Sequence, residues 1–219
     1  MTPLHPLQTS YNRVAVEYTA RIADELGGKP LDRALLTAFA EQVGNLGPVA
    51  DLGCGPGHVT AFLAKAGMAI TGIDLAEGMV AEAQQRYPML SFRQGDLRAL
   101  DMADATLGGL VAFYSIIHLT EAELLPTLCE WWRVLRPSGL VLLAFHIGDH
   151  VVHLDQWWQH PVDLDFRFLP IETVTSALQQ AHFSIQACVQ RAPYIDIEHA
   201  SQRCYILACK AADSGEQNH

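Results

Sequence analysis

The residues of this chain best suited to chemistry are a glycine turn and two carboxylates that follow it. In Val49-Ala50-Asp51-Leu52-Gly53-Cys54-Gly55-Pro56-Gly57-His58-Val59-Thr60 an apolar lead-in ends at Asp51, three glycines follow, and a helical pattern runs over about 59–65. That is a buried strand, a tight turn without side chains and a helix start, the arrangement with which an α/β sheet holds a nucleotide-like ligand. Glycines let the backbone approach a ligand and adopt turns closed to bulkier residues. A G-x-G-x-x-G fingerprint counted from Gly53 and Gly55 needs its third glycine where His58 stands, and no Gly-Lys-Ser/Thr follows. The turn therefore fits a nucleoside-like ligand that need not present a pyrophosphate. A purely structural glycine turn is the alternative.

Asp74 closes the second strand-like run, seventeen residues after Gly57. There it can accept hydrogen bonds from the two hydroxyls of a ribose seated over the glycine turn, and such charge-assisted bonds are short and strong. Asp96, in Gly95-Asp96-Leu97, follows the third run and can accept from an exocyclic adenine amine. Asp is also an ordinary turn residue. Three hits on consecutive strand ends of one sheet edge are harder to ascribe to turn chemistry.

The elements that must position these residues show as changes of period. Residues 1–10, with two prolines, read as a loose lead-in. Helices are expected over 11–26, ended by Gly27-Gly28-Lys29-Pro30, and over 31–43. Strands over 68–73, 90–94, 109–114 and 140–145 then alternate with helices over 77–86 and after a capping box, Thr120 with Glu123. Long apolar strands alternating with helices imply a mostly parallel sheet covered on both faces, with right-handed crossovers. Residues 148–169 have no clean period and read as an insertion at the carboxyl end of the fifth strand. A helix over 172–181 precedes strands over 183–190 and 203–210, which lie too close for an intervening helix and so pair antiparallel at one edge. One domain is expected over 1–210, with helices over 11–47 covering the ligand edge, a lid or substrate insertion over 148–170, and a polar tail over 211–219.

Size and charge bound the partners. At 219 residues the chain can bury a full hydrophobic core. Lys and Arg total 14 against 24 Asp and Glu, a formal charge of −10, which weighs against a phosphate-backbone partner in the absence of a basic cluster. The five cysteines show no C-x-x-C spacing, so a disulfide framework is not expected. No signal peptide or spanning helix is visible, and a cytoplasmic protein without a membrane partner is expected. A monomer or homodimer is the expected state.

Together these residues resemble the class I, Rossmann-like S-adenosylmethionine-dependent methyltransferases, in particular those acting on small molecules. The likeness rests on the Asp51-Leu52-Gly53-Cys54-Gly55-Pro56-Gly57 turn, Gly72-Ile73-Asp74-Leu75-Ala76 with Met79, Gly95-Asp96-Leu97, Ser115-Ile116-Ile117-His118-Leu119 and Arg136-Pro137-Ser138-Gly139-Leu140. It implies a three-layer, doubly wound α/β sheet of seven strands in the order 3-2-1-4-5-7-6, strand seven antiparallel, with N-terminal lid helices and the insertion after strand five. It also implies S-adenosyl-L-methionine as cofactor. Gly53, Cys54, Gly55 and Gly57 would then pass beneath its methionine and ribose, Asp51 reach the methionine ammonium, and Asp74 hold the ribose hydroxyls. Leu75 and Met79 would pack on the adenine, Gly95, Asp96 and the Leu97 amide meet its edge, and Tyr114 and Ser115 face the methionine end. Tyr11 and Tyr18 lie in a segment similar to the family's lid helix, whose tyrosines can approach the cofactor or substrate, Tyr18 being the cofactor contact. The chain departs from the pattern at His182, where relatives usually carry glycine, and at His146, where the family has no fixed residue.

Methyl transfer from a sulfonium is an in-line displacement of an already activated donor, so the protein mainly aligns nucleophile, methyl and sulfur and excludes water. A hydroxyl or protonated nitrogen acceptor needs a base, for which histidine is the natural side chain near neutral pH. A carboxylate, thiol or free amine needs less. His118 and His146 are the candidate catalytic residues; Tyr11, His118, His146, His153 and Trp157 are the candidate acceptor contacts. Asp149 and His150 give His146 and His153 a loose metal-ligand spacing, yet no metal is expected. Trp157, with Trp158, Phe166 and Phe168, either lines an aromatic acceptor pocket or forms the insertion's own small core. The expected activity is methylation of oxygen, nitrogen, sulfur or carboxylate of a small molecule. Alternatives are protein methylation, a catalytically inactive cofactor-binding partner, and a nicotinamide oxidoreductase, against which the Gly57/His58 spacing speaks. Tyr114-Ser115-Ile116-Ile117 lacks the paired prolines and aromatic that hold a flipped base, so no nucleic-acid partner is expected.

Overall fold

The computed structural model describes residues 6–211; residues 1–5 of the lead-in expected over 1–10 and residues 212–219 of the tail expected over 211–219 lie outside the described residues. The strands in chain order are β1 (Val49–Leu52), β2 (Ile70–Asp74), β3 (Ser91–Gln94), β4 (Leu107–Phe113), β5 (Leu135–His146), β6 (Val151–Trp157), β7 (His160–Arg167), β8 (Phe183–Arg191) and β9 (Arg203–Lys210). The helices are α1 (Pro6–Ile22), α2 (Pro30–Val43), α3 (His58–Lys65), α4 (Glu77–Arg86), α5 (Glu121–Val134) and α6 (Ile171–Gln180). Seven strands form one sheet in the order β3-β2-β1-β4-β5-β9-β8. The first five are parallel, and β9 runs antiparallel to both β5 and β8. With the β6–β7 hairpin set aside, this is the expected 3-2-1-4-5-7-6 order.

Successive side chains of the central strands alternate between two cores, as a pleated strand buried on both faces requires. Val49, Val111, Leu140 and Leu142 pack with Phe39 and Val43 of α2 and Val59 and Leu63 of α3. Ala50, Leu110, Ala112, Val141 and Leu143 pack with Leu124, Leu128 and Trp131 of α5 and Val174 and Leu178 of α6. The Thr120/Glu123 capping box opens α5. Helix α1 belongs to neither core. Its Val14 and Ala15 pack with Ala76 and Met79 at the start of α4 and with Val162 and Leu164 of β7, and Asn12 Oδ1 accepts from the Gly78 amide at 2.8 Å. It thus lies across the sheet's carboxyl edge.

The structure corrects the sequence in three places. Helix α1 begins at Pro6 rather than residue 11 and ends at Ile22, with a separate 3₁₀ turn over Glu25–Gly28; proline is tolerated in a first turn because its missing N–H has no intrahelical partner there. Strand β5 pairs from Leu135, opposite Leu107, then slips at an irregularity and resumes at Leu140 opposite Gly109. The insertion is not irregular. It is an antiparallel hairpin, β6 with β7, turned through Trp158 and Gln159, whose φ values are +48° and +69°. Tight hairpin turns of that kind normally announce themselves by Asn-Gly or Gly; here two large residues take the left-handed conformation. The stem closes on itself: the Leu169 amide donates to the His146 carbonyl at 2.8 Å, so entry and exit are adjacent. His182, where glycine was the expected residue, does take a left-handed conformation, at φ +65°.

Candidate active site

The parallel strands end on one edge, and the chain turns sharply after each. After β1, Gly53 and Gly57 have φ of +71° and +82°. A Cβ on Gly53 would lie 2.4 Å from the Ser115 Cβ, and one on Gly57 would lie 2.7 Å from the Phe92 ring, so these positions admit only glycine without rearrangement. The turn is pinned to the tip of β2: the Gly55 amide donates to Asp74 Oδ2 at 2.8 Å, and the Ala76 amide to Oδ1 at 2.9 Å. After β4, Tyr114 takes φ +56°, a strained setting for a side-chain-bearing residue and of the kind found beside ligand sites.

A cavity of about 600 Å³ lies over these tips. Of the residues singled out in the sequence, Tyr11, Tyr18, Gly53, Gly55, Asp74, Leu75, Met79, Gly95, Asp96, Leu97, Tyr114, Ser115 and His118 line it. Six others do not. Asp51 is 1 % exposed and accepts from Thr60 Oγ1 at 2.6 Å, so its carboxylate is turned into the protein. Cys54 is buried, its sulfur beside Gly72 on the Phe92 side of the sheet. Gly57 packs on Phe92 and starts α3. His146 stands behind Tyr114, its ring between Tyr114 and Phe168 at centroid distances of 5.0 and 5.3 Å and its Nδ1 hydrogen-bonded to Ser201 Oγ. His153 is exposed on the hairpin, paired with Asp165 at 2.9 Å. Trp157 packs on the Tyr11 and Tyr18 rings and stacks on Trp158, supporting the tyrosines rather than facing the cavity. Among the described residues no three His, Cys, Asp or Glu converge as metal ligands.

Burial sets the electrostatics. Asp74 and Asp51 are both pushed up to about 6, chiefly by desolvation, against the pull of the Ala76 and Gly55 amides on the first and of Thr60 on the second. Asp96 is held by Arg98 through Nε and Nη2, and the same guanidinium reaches Glu123 through Nη1 at 2.6 Å. His118 is lowered to about 4 by burial, partly offset by the Asp165 carbonyl. That carbonyl lies 2.9 Å from Nδ1 and can only accept, so Nδ1 carries the proton. Nε2 then accepts from the Tyr11 hydroxyl at 2.7 Å. A neutral imidazole with a tyrosine hydroxyl on it therefore stands on the cavity wall at neutral pH.

Sequence reasoning missed the residues that the hairpin brings. Asp163, Asp165 and Arg167 line the cavity, while Val162 and Leu164 between them are buried against α1. The alternation Val162, Leu164, Phe166 against Asp163, Asp165, Arg167 was a usable strand signal. Gln8 and Leu7 also line the cavity, from the turn of α1 that the prolines obscured.

Three comparisons bear on this arrangement. A family described as "Methyltransferase domain" matches residues 49–139. The malonyl-[acyl-carrier protein] O-methyltransferase of Pectobacterium atrosepticum is 31% identical over 134 residues, 60% of this chain and 52% of that protein. The chain spans about half the length of the curated relatives it matches. Magnesium protoporphyrin IX methyltransferase of Synechocystis PCC 6803, solved with bound S-adenosylmethionine, superposes with a TM-score of 0.70 at 18% identity, over 96% of this chain and 100% of that one. The [4+2]-cyclase SpnF superposes with a TM-score of 0.71 at 17% identity, over 94% and 95%. At these identities the structural likeness is one of fold.

Proposed function

Because the chain has the class I, Rossmann-like S-adenosylmethionine-dependent methyltransferase fold, we propose that it binds S-adenosyl-L-methionine over the tips of β1, β2 and β3 and transfers its methyl group to a small molecule. The observation that carries this is the pinned turn. Gly53 and Gly55 present bare backbone to the cavity, and Asp74 faces it with one amide on each oxygen, which leaves each oxygen a further lone pair for a ribose hydroxyl. Such a site fits a nucleoside, and the acidic wall fits a cation. Leu75 and Met79 would pack on the adenine, and Asp96 with the Leu97 amide would meet its edge. Tyr18, Tyr114 and Ser115 would border the methionine end. Bound there, the sulfonium supplies an activated methyl group.

The chain's own residues do the rest. Tyr11 and His118 sit on the α1 side of the cavity and would orient the acceptor, with α1 and the hairpin excluding water. The O-methyltransferase relative favours methyl transfer, and the cyclase of the same fold favours as a second reading a cofactor-binding protein with other chemistry or none. Protein methylation is the further alternative. The charge of −10 supports a chain that acts without nucleic acid, and the same proposal has it act in the cytoplasm, as a monomer or homodimer. No helix of the described residues is long and apolar enough to cross a membrane. Parallel calorimetry with S-adenosylmethionine and NAD tests the cofactor: binding of the sulfonium with no heat from NAD is expected, and saturation by NAD alone overturns it.

Affinity for the sulfonium should fall as pH drops through about 6, because Asp74 then takes up a proton and loses its charge. The expected loss is about tenfold between pH 7.5 and 5, with a flat profile for Asp74→Asn. The effect on stability has the opposite sign. A carboxyl raised in the folded chain contributes most below its unfolded value, about 3.9, and that contribution is lost as pH rises through about 6. Calorimetry at stepped pH, beside thermal melts of the ligand-free protein, reads both.

A further inference from the structure

Taking methyl transfer at this site as given, we propose that the acceptor is a carboxylic acid with an apolar body, its carboxylate held by Arg167 and its body in a second cavity beside the first. That second cavity, of about 220 Å³, has walls that include Ile116, Leu124, Val151, Phe168 and Leu169. It shares Leu119, Thr120 and Arg167 with the main cavity, so one arginine borders both spaces. Arg98, the other arginine on the main cavity, is spent on Asp96 and Glu123. Arg167 has a single side-chain partner, Asp165 at 3.0 Å, and its buried Nε has none among the described residues. A guanidinium offers five donors in a fork that matches a carboxylate. The nearby acids leave that fork available: Asp165 is shared between Arg167 and His153, and Asp163, Glu121 and Asp149 are exposed, as is His150.

The state of His118 points the same way. Nδ1–H is given to the Asp165 carbonyl and Nε2 is occupied by Tyr11, so a hydroxyl acceptor would have to displace Tyr11 to reach a base. A carboxylate needs none. A lone pair on its oxygen forms the new O–C bond, the C–S bond breaks with its electron pair left on sulfur, and no proton changes hands. The charges of carboxylate and sulfonium cancel, and the neutral ester no longer has a charge for Arg167 to hold, which favours its release.

Calorimetry with octanoate, octanamide and octylamine, each added to the protein alone and to protein saturated with S-adenosylhomocysteine, tests this. Octanoate is expected to bind at least about tenfold more tightly than either analogue. Arg167→Gln is expected to weaken octanoate about tenfold or more while S-adenosylhomocysteine affinity stays within about threefold. Val151→Trp, at an exposed wall of the second cavity, checks the body site without touching the arginine and is expected to weaken octanoate at least about threefold. Absence of octanoate binding at millimolar concentration, equal or tighter binding of octylamine, or indifference of octanoate to Arg167→Gln overturns the proposal. Octanoate binding without any S-adenosylhomocysteine binding instead overturns the methyltransferase reading.

Discussion

Asp74→Ala is expected to weaken S-adenosylmethionine binding by about 3 kcal/mol or more, a hundredfold and upward, because hydrogen bonds to a charged group contribute about 1.5–3 kcal/mol each. Two such bonds, one from each ribose hydroxyl, are assigned to this carboxylate. The substitution does a second thing: it strips the acceptor from the Gly55 and Ala76 amides, so the glycine turn loses its tether to β2. Asp74→Asn separates the two effects, since its amide oxygen can keep one tether while the charge is gone. At pH 8 it should lose about tenfold in affinity with a near-normal melting temperature. Calorimetry and a thermal melt on both variants give the comparison, and an unchanged dissociation constant for Asp74→Ala removes the ribose assignment.

Gly53→Ala should be strongly destabilising for the addition of a single methyl group. The backbone there is left-handed, which costs an L-residue about 1–2 kcal/mol, and the added carbon would sit 2.4 Å from the Ser115 Cβ, forcing an overpacking cost of about 1–3 kcal/mol more. A combined loss of about 3 kcal/mol corresponds to a melting temperature lower by about 10 °C in a domain of this size. Ser115 itself lines the cavity, so its retreat would also narrow the methionine end and weaken the cofactor. Gly67→Ala is the control: φ there is +92°, but nothing lies within 4 Å of the added carbon, so only the conformational cost remains. Equal melting temperatures for the two variants would show that the contact with Ser115 is not tight in solution.

The sheet and its ligand edge were legible because both are written in local signals. Short continuous apolar runs such as 109–114 and 140–145, bounded by turn residues and alternating with helical patterns, read as strands buried on both faces, and Gly53, Asp74 and Asp96 mark the ends of the first three strands by residue type. Side-chain direction was not legible. Asp51 and Cys54 sit two places and one place from cavity residues, yet face Thr60 and Phe92, because a strand alternates and the turn adds its own twist. His146 misled for the same reason: it ends a strand at the right edge, but Tyr114 stands between it and the cavity. The hairpin was hidden by its turn, where Trp158 and Gln159 hold the conformation that glycine or asparagine would have advertised.

That hairpin leaves β5 and returns to α6 across a stem closed by backbone bonds from Leu169 to His146, Gly148 to Leu169 and Phe168 to His150. A segment whose two ends already touch can be lengthened, shortened or replaced at little entropic cost to the rest. Of the groups proposed to meet the acceptor, Arg167 comes with this segment while Tyr11 and His118 stay with the scaffold, so the hairpin's share of acceptor choice is separately heritable from the groups proposed to meet the adenosine. A chimera given another protein's hairpin would keep its methyl donor and change its customer, and a lineage built on this scaffold can diversify by exchanging one cassette while the nucleoside half stays fixed.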